Sequence, residues 1–347
     1  MLRVALIGCG DVSTHYVEGF KGTKKAVLSM VMDKELEFAR KLGTEYSLPF
    51  TDDLDKVLGD PAIDAVIVAV PHYLHAPLTI RAAEAGKHVL CDKPISTTAA
   101  DARSMIRACR SRRVKLGVNY AVRYRPLQQK AKQLVGQGVL GKIHLVQFHG
   151  IHLKPEKYWT EGWKGRVKTD WRAKKALSGG GVSMMNFSHS VDLFRYLTGL
   201  EFVSVKGEYD TFETPVEVED TVAAAFRFDN GAIGSLLTAT WTGPIRESMM
   251  RIFGSDGTME FRDEEVRLFT KKSAPGVTPL EWTVVSHELQ SQEGYGPYLD
   301  LFADAVAEDK DPPVTGEDAL TTLEVVLGIY TSSDTGKTVR LKHRASR

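Results

Sequence analysis

The sequence predicts an α/β protein in two parts: a doubly wound parallel sheet, then an α+β region with a large open mixed or antiparallel sheet. Three observations carry this reading. Over about the first 120 residues, short continuous apolar runs alternate with helical stretches, the pattern of parallel strands joined by crossover helices. A glycine-rich turn, Gly8-Cys9-Gly10, sits where the first run gives way to the first helix. Further on, runs of alternating apolar and polar residues are separated by Asn-Gly and Asp-Gly turns, which is how antiparallel hairpins are written. At 347 residues the chain exceeds what one core organises, and a boundary is expected between residues 1–122 and 123–347.

Leu2-Arg3-Val4-Ala5-Leu6-Ile7 is nearly all apolar, as a strand covered on both faces must be, and stops at Gly8. Helical sequence through Gly19 leads to a second strand at 26–32 and a helix-rich block at 34–42. The run 65–70 is a buried strand ended by Pro71, which has no N–H to continue a ladder, and a helix is expected at 77–85. A strand at 88–90 runs into Cys91-Asp92-Lys93-Pro94; a helix at 99–111 and a strand at 115–118 complete the alternation. In the second part a helix at 126–136 precedes strands at 143–150, 203–209, 221–228, 232–240, 248–254, 258–262 and 266–270, with Asn230-Gly231 and Asp256-Gly257 as hairpin turns. One long helix, 182–197, interrupts them, and Gly199 is placed to cap it in the left-handed conformation. Two late helices are expected at 298–307 and 316–330.

Basic and acidic residues nearly cancel, 45 against 44, which argues against a polyanion-binding footprint and against nucleic acid as a partner. Cys9, Cys91 and Cys109 are widely spaced, without a metal-ligand or disulfide pattern, and read as buried filler in a reducing compartment. No metal site is expected. No apolar run approaches the roughly 20 residues that span a bilayer, and the chain starts at once with a strand rather than a leader. A cytoplasmic protein without membrane contact is therefore expected. The basic end, 342–347, reads as a frayed terminus.

The turn Gly8-Cys9-Gly10-Asp11-Val12-Ser13 has the residues for holding a dinucleotide. Glycines let the main chain approach a pyrophosphate, whose charge is met by the unpaired N–H groups at the start of the next helix. Ser13 stands where the usual third glycine would be. Asp33 closes the second strand, where a carboxylate accepts hydrogen bonds from the adenosine ribose and repels a 2′-phosphate; NAD is favoured over NADP, even with Lys34 alongside. The first part thus reads as a Rossmann domain. A lysine ending a buried strand of such a sheet loses hydration, and its ammonium can stabilise charge developing on a substrate oxygen, which makes Lys93 the first catalytic candidate.

Taken together these motifs resemble the glucose-fructose oxidoreductase, inositol dehydrogenase and rhizopine-catabolism family, Gfo/Idh/MocA. The resemblance runs over nearly the whole chain and rests on five stretches in order: Gly8-Cys9-Gly10 with His15; Val70-Pro71 followed by His75; Gly86 through Pro94; Arg123-Tyr124-Arg125-Pro126; and Gly179-Gly180-Gly181 leading to His189 and Asp192. It implies a second domain whose open sheet packs against another subunit, in a homodimer or homotetramer. It also implies hydride transfer between a nicotinamide and a secondary carbinol of a sugar, inositol or related compound. Carried over residue by residue, Lys93 matches the lysine beside the nicotinamide, and Asp92 stands where many members have Glu. His189 matches the histidine that exchanges the substrate hydroxyl proton, Asp192 the carboxylate one turn on, and His152 a substrate-contacting position of the inositol dehydrogenases. Expected cofactor contacts are Gly8, Gly10, Asp11, Val12, Ser13, Asp33, Val70, Pro71, His75, Asp92, Lys93 and Asn119. One departure is serious: the inositol dehydrogenases carry an aspartate four residues before the histidine, and this chain has Met185.

On the expected helix, Met185, His189 and Asp192 share a face, because steps of three and four residues return to the same side. A histidine there can take a hydroxyl proton near neutral pH as hydride leaves the same carbon, with Asp192 to orient it. Met185 would form an apolar wall and Asn186 would offer a neutral hydrogen-bonding group. Residues 151–181 hold eight lysines and arginines against three acids, together with Trp159, Trp163 and Trp171. Aromatic faces stack on sugar rings and basic groups attract a carboxylate or phosphate, so Trp171 and Arg172 join Arg123, Tyr124 and Tyr298 as expected substrate contacts. Two other roles are left open: a non-catalytic dinucleotide sensor, motivated by Met185, and an NAD-retaining, glycosidase-type enzyme that oxidises its substrate only transiently.

Overall fold

The computed structural model describes residues 1–241, 243, 247–262, 265–287 and 294–341; the basic end at 342–347 lies outside them. In chain order the elements are β1 (Leu2–Ile7), α1 (Ser13–Gly22), β2 (Ala26–Met32), α2 (Leu36–Tyr46), β3 (Phe50–Thr51), α3 (Leu54–Gly59), β4 (Ala65–Val68), α4 (His75–Glu84), β5 (His88–Cys91), α5 (Ala99–Ser111) and β6 (Leu116–Val118). There follow α6 (Pro126–Gly136), β7 (Ile143–Ile151), α7 (Lys157–Glu161), α8 (Lys175–Ser178), a π turn (Ser183–Phe187) and α9 (Ser188–Thr198). The chain continues with β8 (Phe202–Asp210), β9 (Thr221–Phe228), β10 (Ile233–Ala239), β11 (Glu247–Gly254), β12 (Gly257–Arg262), β13 (Glu265–Thr270), β14 (Trp282–His287), α10 (Tyr295–Ala307), α11 (Gly316–Thr335) and β15 (Val339–Arg340).

Two compact units result, and neither follows a single cut of the chain. The first comprises Met1–Tyr124, Lys157–Gly179 and Glu293–Leu323; the second comprises Arg125–Glu156, Gly180–Gln292 and Glu324–Arg347. A boundary after residue 122 marks where the sequence pattern changes. It does not capture that residues 157–179 return to the first unit, because their hydrogen bonds to the glycine-rich turn are made across about 150 residues of chain.

In the first unit the strand order is β3-β2-β1-β4-β5-β6, with every neighbouring pair parallel. The order reverses between β1 and β4, so the turns leaving those two strands flank the position at which such sheets take ligands. All four residues of β4 are buried, as a strand covered on both sides requires, and each large aliphatic side chain so placed stabilises the fold by about 1.5–3 kcal/mol.

In the second unit nine strands form one mixed sheet, β14-β13-β12-β11-β7-β10-β9-β8-β15, in which only β7 and β10 pair in parallel among the described strands. Residues of β9 alternate strictly between buried and accessible, so its sequence periodicity places Val222, Ala224, Phe226 and Phe228 on the inner face. Phe194 of α9 packs 4.8 Å from Phe228, and Phe187 of the π turn lies edge-on to Phe148 of β7 at 5.3 Å. Gly234 makes room for this cluster, since a Cβ there would approach the Phe228 ring to 2.9 Å. The hairpin at Asn230-Gly231 turns as expected, with Gly231 at φ 88°. Strands β14 and β15 extend the sheet beyond the runs expected from periodicity; β15 has two residues, too few to display a period.

The long helix at 182–197 is modified. Its first turn is π, and α9 then runs to Thr198, where Gly199 caps it at φ 71°. Residues of an i→i+5 turn advance less far around the axis than those of an α-helix, so the winding between Met185 and His189 differs from that of the regular helix expected there. Among the described residues, no helix is long and apolar enough to cross a membrane, and no group of three His, Cys, Asp or Glu side chains is placed to hold a metal ion.

Candidate active site

The first unit's site begins where β1 ends. Gly8 has φ 102°, and a Cβ on it would stand 2.3 Å from the Ala69 carbonyl oxygen, so only glycine fits. Around Gly10 the reverse holds: an added Cβ would meet nothing within 4 Å, which leaves the main chain open to a close-approaching group. Ser13 replaces the third glycine by turning inward, fully buried, with its hydroxyl donating to the Gly10 carbonyl at 2.6 Å. No side chain caps α1 at Val12; the Ser13 and His15 N–H groups turn back to the Gly10 and Val12 carbonyls at 3.1 and 3.0 Å, and the positive end of the helix dipole is left without an acidic side chain in its first turn. Asp33 accepts the Cys9 N–H on one oxygen at 2.9 Å and the Glu35 N–H on the other at 3.1 Å. This fixes its carboxylate at the end of β2 while burial pushes its pKa up. The open glycine, the uncapped helix and the anchored carboxylate together fit a dinucleotide, with Gly8 through Ser13 at the pyrophosphate and Asp33 at the ribose.

The Asp11 side chain is engaged within the protein. Its carboxylate accepts the Lys164 N–H at 2.9 Å and the Arg166 N–H at 3.1 Å. Lys164 Nζ donates to Thr14 Oγ1 at 2.6 Å, and Arg166 pairs with Glu45 at 2.9 Å. The Asp11 side chain therefore clasps residues 164–166 to the glycine-rich turn, and what it has left for a cofactor is main chain. Arg166 Nε is buried without a hydrogen-bond partner in this clasp.

Lys93 leaves the C-terminal edge of β5, half-buried, followed by a cis peptide to Pro94. Burial pulls its amine below the ordinary lysine range, the Asp92 carboxylate opposes this, and the Arg172 guanidinium adds to it. Asp92 and Asn119, both expected at the cofactor, hold each other and Tyr16. Tyr16 donates to Asp92 Oδ1 at 2.9 Å, and Asn119 Nδ2 donates to the same oxygen at 3.1 Å and to the Tyr16 hydroxyl at 2.8 Å. In His75, expected at the cofactor, one ring nitrogen lies 2.8 Å from the Pro94 carbonyl and the other 3.0 Å from that of Val70, so the ring braces the ends of β4 and β5. Pro71 opens the turn between them.

Arg172 is buried and caged by rings, its guanidinium 4.7 Å from Trp171, 5.5 Å from Trp163 and 5.6 Å from Tyr158, with no carboxylate paired to it among the described residues. Trp171 lies edge-on to His72 at 4.6 Å, and His72 in turn meets the Ser178 carbonyl at 2.7 Å. Burial holds His72 well below its ordinary pKa, with His75, Lys93 and Arg172 acting in the same direction. The three remaining expected contacts of this unit are committed to the protein. Arg123 pairs with Asp318 at 2.8 Å, the Tyr298 hydroxyl donates to the Val118 carbonyl at 2.7 Å, and the Tyr124 ring packs 5.4 Å from that of Tyr298. These long-range pairings have no signature in local sequence.

The second unit carries the other candidates. Met185 is buried in the π turn, Asn186 beside it is half-buried, His189 is half-buried in the first turn of α9, and Asp192 is buried. His152 follows β7 and donates its N–H to the Ala239 carbonyl at 3.1 Å, beside the end of β10. Sequence reasoning missed Tyr16, His72 and Arg166 in the first unit, and Glu219 and Tyr330 in the second. Of these only Glu219-Asp220 carried a signal, two adjacent acids at the head of a strand.

Residues 2–120 match the model of an oxidoreductase family with an NAD-binding Rossmann fold, and residues 128–260 match that of the GFO/IDH/MocA C-terminal domain. The chain is 28% identical to 1,5-anhydro-D-fructose reductase of Ensifer adhaerens, over 99% of each protein. The crystal structure of aldose-aldose oxidoreductase from Caulobacter crescentus, complexed with glycerol, superposes with a TM-score of 0.84 at 28% identity, covering 98% of this chain and 99% of that one. The WlbA dehydrogenase from Bordetella pertussis, crystallised with NADH and UDP-GlcNAcA, gives 0.85 at 26% identity, covering 99% and 98%.

Proposed function

This chain belongs to the GFO/IDH/MocA oxidoreductase family, and from that membership we propose that it is an NAD-dependent dehydrogenase or reductase acting on a secondary carbinol of a sugar, inositol or sugar derivative. Relatives that act on such compounds support the substrate class, among them the anhydrofructose reductase and the aldose-aldose oxidoreductase. The observation that carries the reading is Lys93, which leaves the C-terminal edge of β5 in the unit whose glycine-rich turn and Asp33 fit the dinucleotide.

NAD, when bound, supplies the hydride acceptor. Lys93 stabilises negative charge on the reacting oxygen, and its lowered pKa suits it to share a proton there. His189 exchanges the hydroxyl proton, Asp192 orients the imidazole, and Met185 and Asn186, on the same helical segment as His189, add no charge beside it. Trp171 and Arg172 offer a flat apolar face and a cation to the sugar, with His152 as a further polar contact. We place the enzyme in the cytoplasm as a homodimer or homotetramer without nucleic-acid partners; the accessible Ile233 and Leu237 on β10 support a sheet face covered by a second copy.

Mixing the protein with NAD and a panel of polyols, inositols and aldoses tests this reading, with reduced nicotinamide followed by absorbance. Oxidation of at least one member is expected, and it should be lost in His189→Asn. Tight NAD binding without turnover of any member would replace the reading with that of a dinucleotide sensor, which the buried Met185 favours. Turnover without net nicotinamide reduction would indicate an NAD-retaining enzyme.

A further inference from the structure

Gly181, Val182 and Ser183 supply three consecutive main-chain N–H groups at the start of the segment that carries Met185, Asn186 and His189, and a helix cannot pair such groups internally. Glu219 receives all three. Its Oε2 accepts the Gly181 N–H at 2.7 Å, its main-chain carbonyl the Val182 N–H at 3.1 Å, and its Oε1 the Ser183 N–H at 2.9 Å. Tyr330 of α11 donates its hydroxyl to Oε1 at 2.8 Å. The carboxylate is 3% exposed, and among the described residues no lysine or arginine pairs with it. Its charge is balanced by the positive end of the helical segment and by these donors.

The Gly179-Gly180-Gly181 triplet serves this arrangement. A Cβ on Gly180 would stand 2.0 Å from Tyr330 Oη, and one on Gly181 would stand 2.0 Å from the Glu219 carbonyl oxygen. The last two glycines therefore make room for an internal anchor. An ordinary cap comes from the residue next to the helix, whereas Glu219 is 38 residues from Gly181 and stands two residues before Thr221, the start of β9. The helical segment is thereby tied to the sheet at Glu219, and the next turn is the π turn.

We propose that Glu219, oriented by Tyr330, is a positioning residue for the proton-exchanging helix: it sets where the π turn and α9 begin and so where His189 stands. This rests on the reading of His189 given above. Displacement of a catalytic group by about 1 Å lowers turnover by roughly 100-fold, which sets the scale of the effect.

Glu219→Gln keeps the shape but turns an amide NH2 toward one of the two N–H donors. The expected result is a fall in kcat of roughly 10- to 100-fold, with the Kd for NADH within about twofold of the parent. A larger primary deuterium isotope effect on kcat should accompany it, as hydride transfer becomes limiting. A residue that merely stabilised the fold would reduce the active fraction and leave the isotope effect unchanged. Amide hydrogen exchange across residues 180–187, followed by mass spectrometry in the cofactor-free protein, should accelerate. Tyr330→Phe should shift both readouts in the same direction by less, and it carries the comparison if Glu219→Gln fails to fold. Unchanged exchange over 180–187, or lower activity with an unchanged isotope effect, would overturn the proposal. Exchange needs no turnover, so it tests the anchor even if His189→Asn proves fully active and the functional reading falls instead.

Discussion

Tyr16 of α1 donates its hydroxyl to Asp92, the residue that follows β5, at 2.9 Å, and Asn119 donates to both. Three strand-helix units thus meet in one hydrogen-bonded triad at the C-terminal edge of the parallel sheet. It keeps a carboxylate next to Lys93, where its charge opposes the loss of hydration that pulls the amine down. Tyr16→Phe leaves the triad one donor short in a buried setting. The expected loss of stability is about 1–3 kcal/mol, read as a lower denaturant midpoint with an unchanged slope.

Lys93→Ala should lower kcat by roughly 100- to 1,000-fold, the scale seen when one donor to a developing oxyanion is removed. NADH affinity, measured by fluorescence titration, should stay largely intact, since Gly8, Gly10 and Asp33 lie elsewhere in the unit. A variant with near-normal rate would remove Lys93 from the chemistry.

Asp33→Ser removes the carboxylate that would face a 2′-phosphate. The preference for NAD over NADP in kcat/KM should fall by roughly tenfold or more, with most of the change in KM. Because Asp33 also accepts the Cys9 N–H, some loss of NAD affinity should accompany it, and calorimetric titration with each dinucleotide separates the two effects.

Acid stability should report His72. Its pKa in the folded protein lies well below the ordinary value, so the unfolded chain takes up this proton first as pH falls. Stability present above about pH 6.5 is therefore lost on acidification until His72 itself protonates in the fold, at up to about 1.4 kcal/mol per pH unit. His72→Gln should flatten the dependence of unfolding free energy on pH between about 5 and 6.5 by that amount. An unchanged slope would show that His72 is not held neutral. His75, shifted in the same direction, should account for part of the slope that remains.

Much of the fold was legible because its elements announce themselves locally. The strands at Ala26–Met32 and Thr221–Phe228 and the helices at Ala99–Ser111 and Pro126–Gly136 begin and end where their periodicity and flanking residues place them. The short strands Phe50–Thr51 and Val339–Arg340 escaped, since two residues carry no period. The π turn escaped for a related reason. Ser183–Phe187 reads as ordinary amphipathic helix, and its wider winding accompanies an anchor at Glu219 that lies on another element.

The sequence by itself determined the chemistry available to this protein: a glycine-rich turn after the first strand, a carboxylate closing the second, a lysine after the fifth, and a histidine on a glycine-led helix. It could do so because these features depend on short stretches of chain, where glycine permissiveness, strand periodicity and helix spacing act directly. Only the tertiary structure decided what each side chain is bonded to. It turned Asp11 into a clasp for residues 164–166, His75 into a brace between strand ends, and Arg123 and Tyr298 into internal partners. The physical reason is that a buried polar group must find a partner or cost several kcal/mol, and the partner it finds is set by which distant elements pack together, which no local pattern encodes.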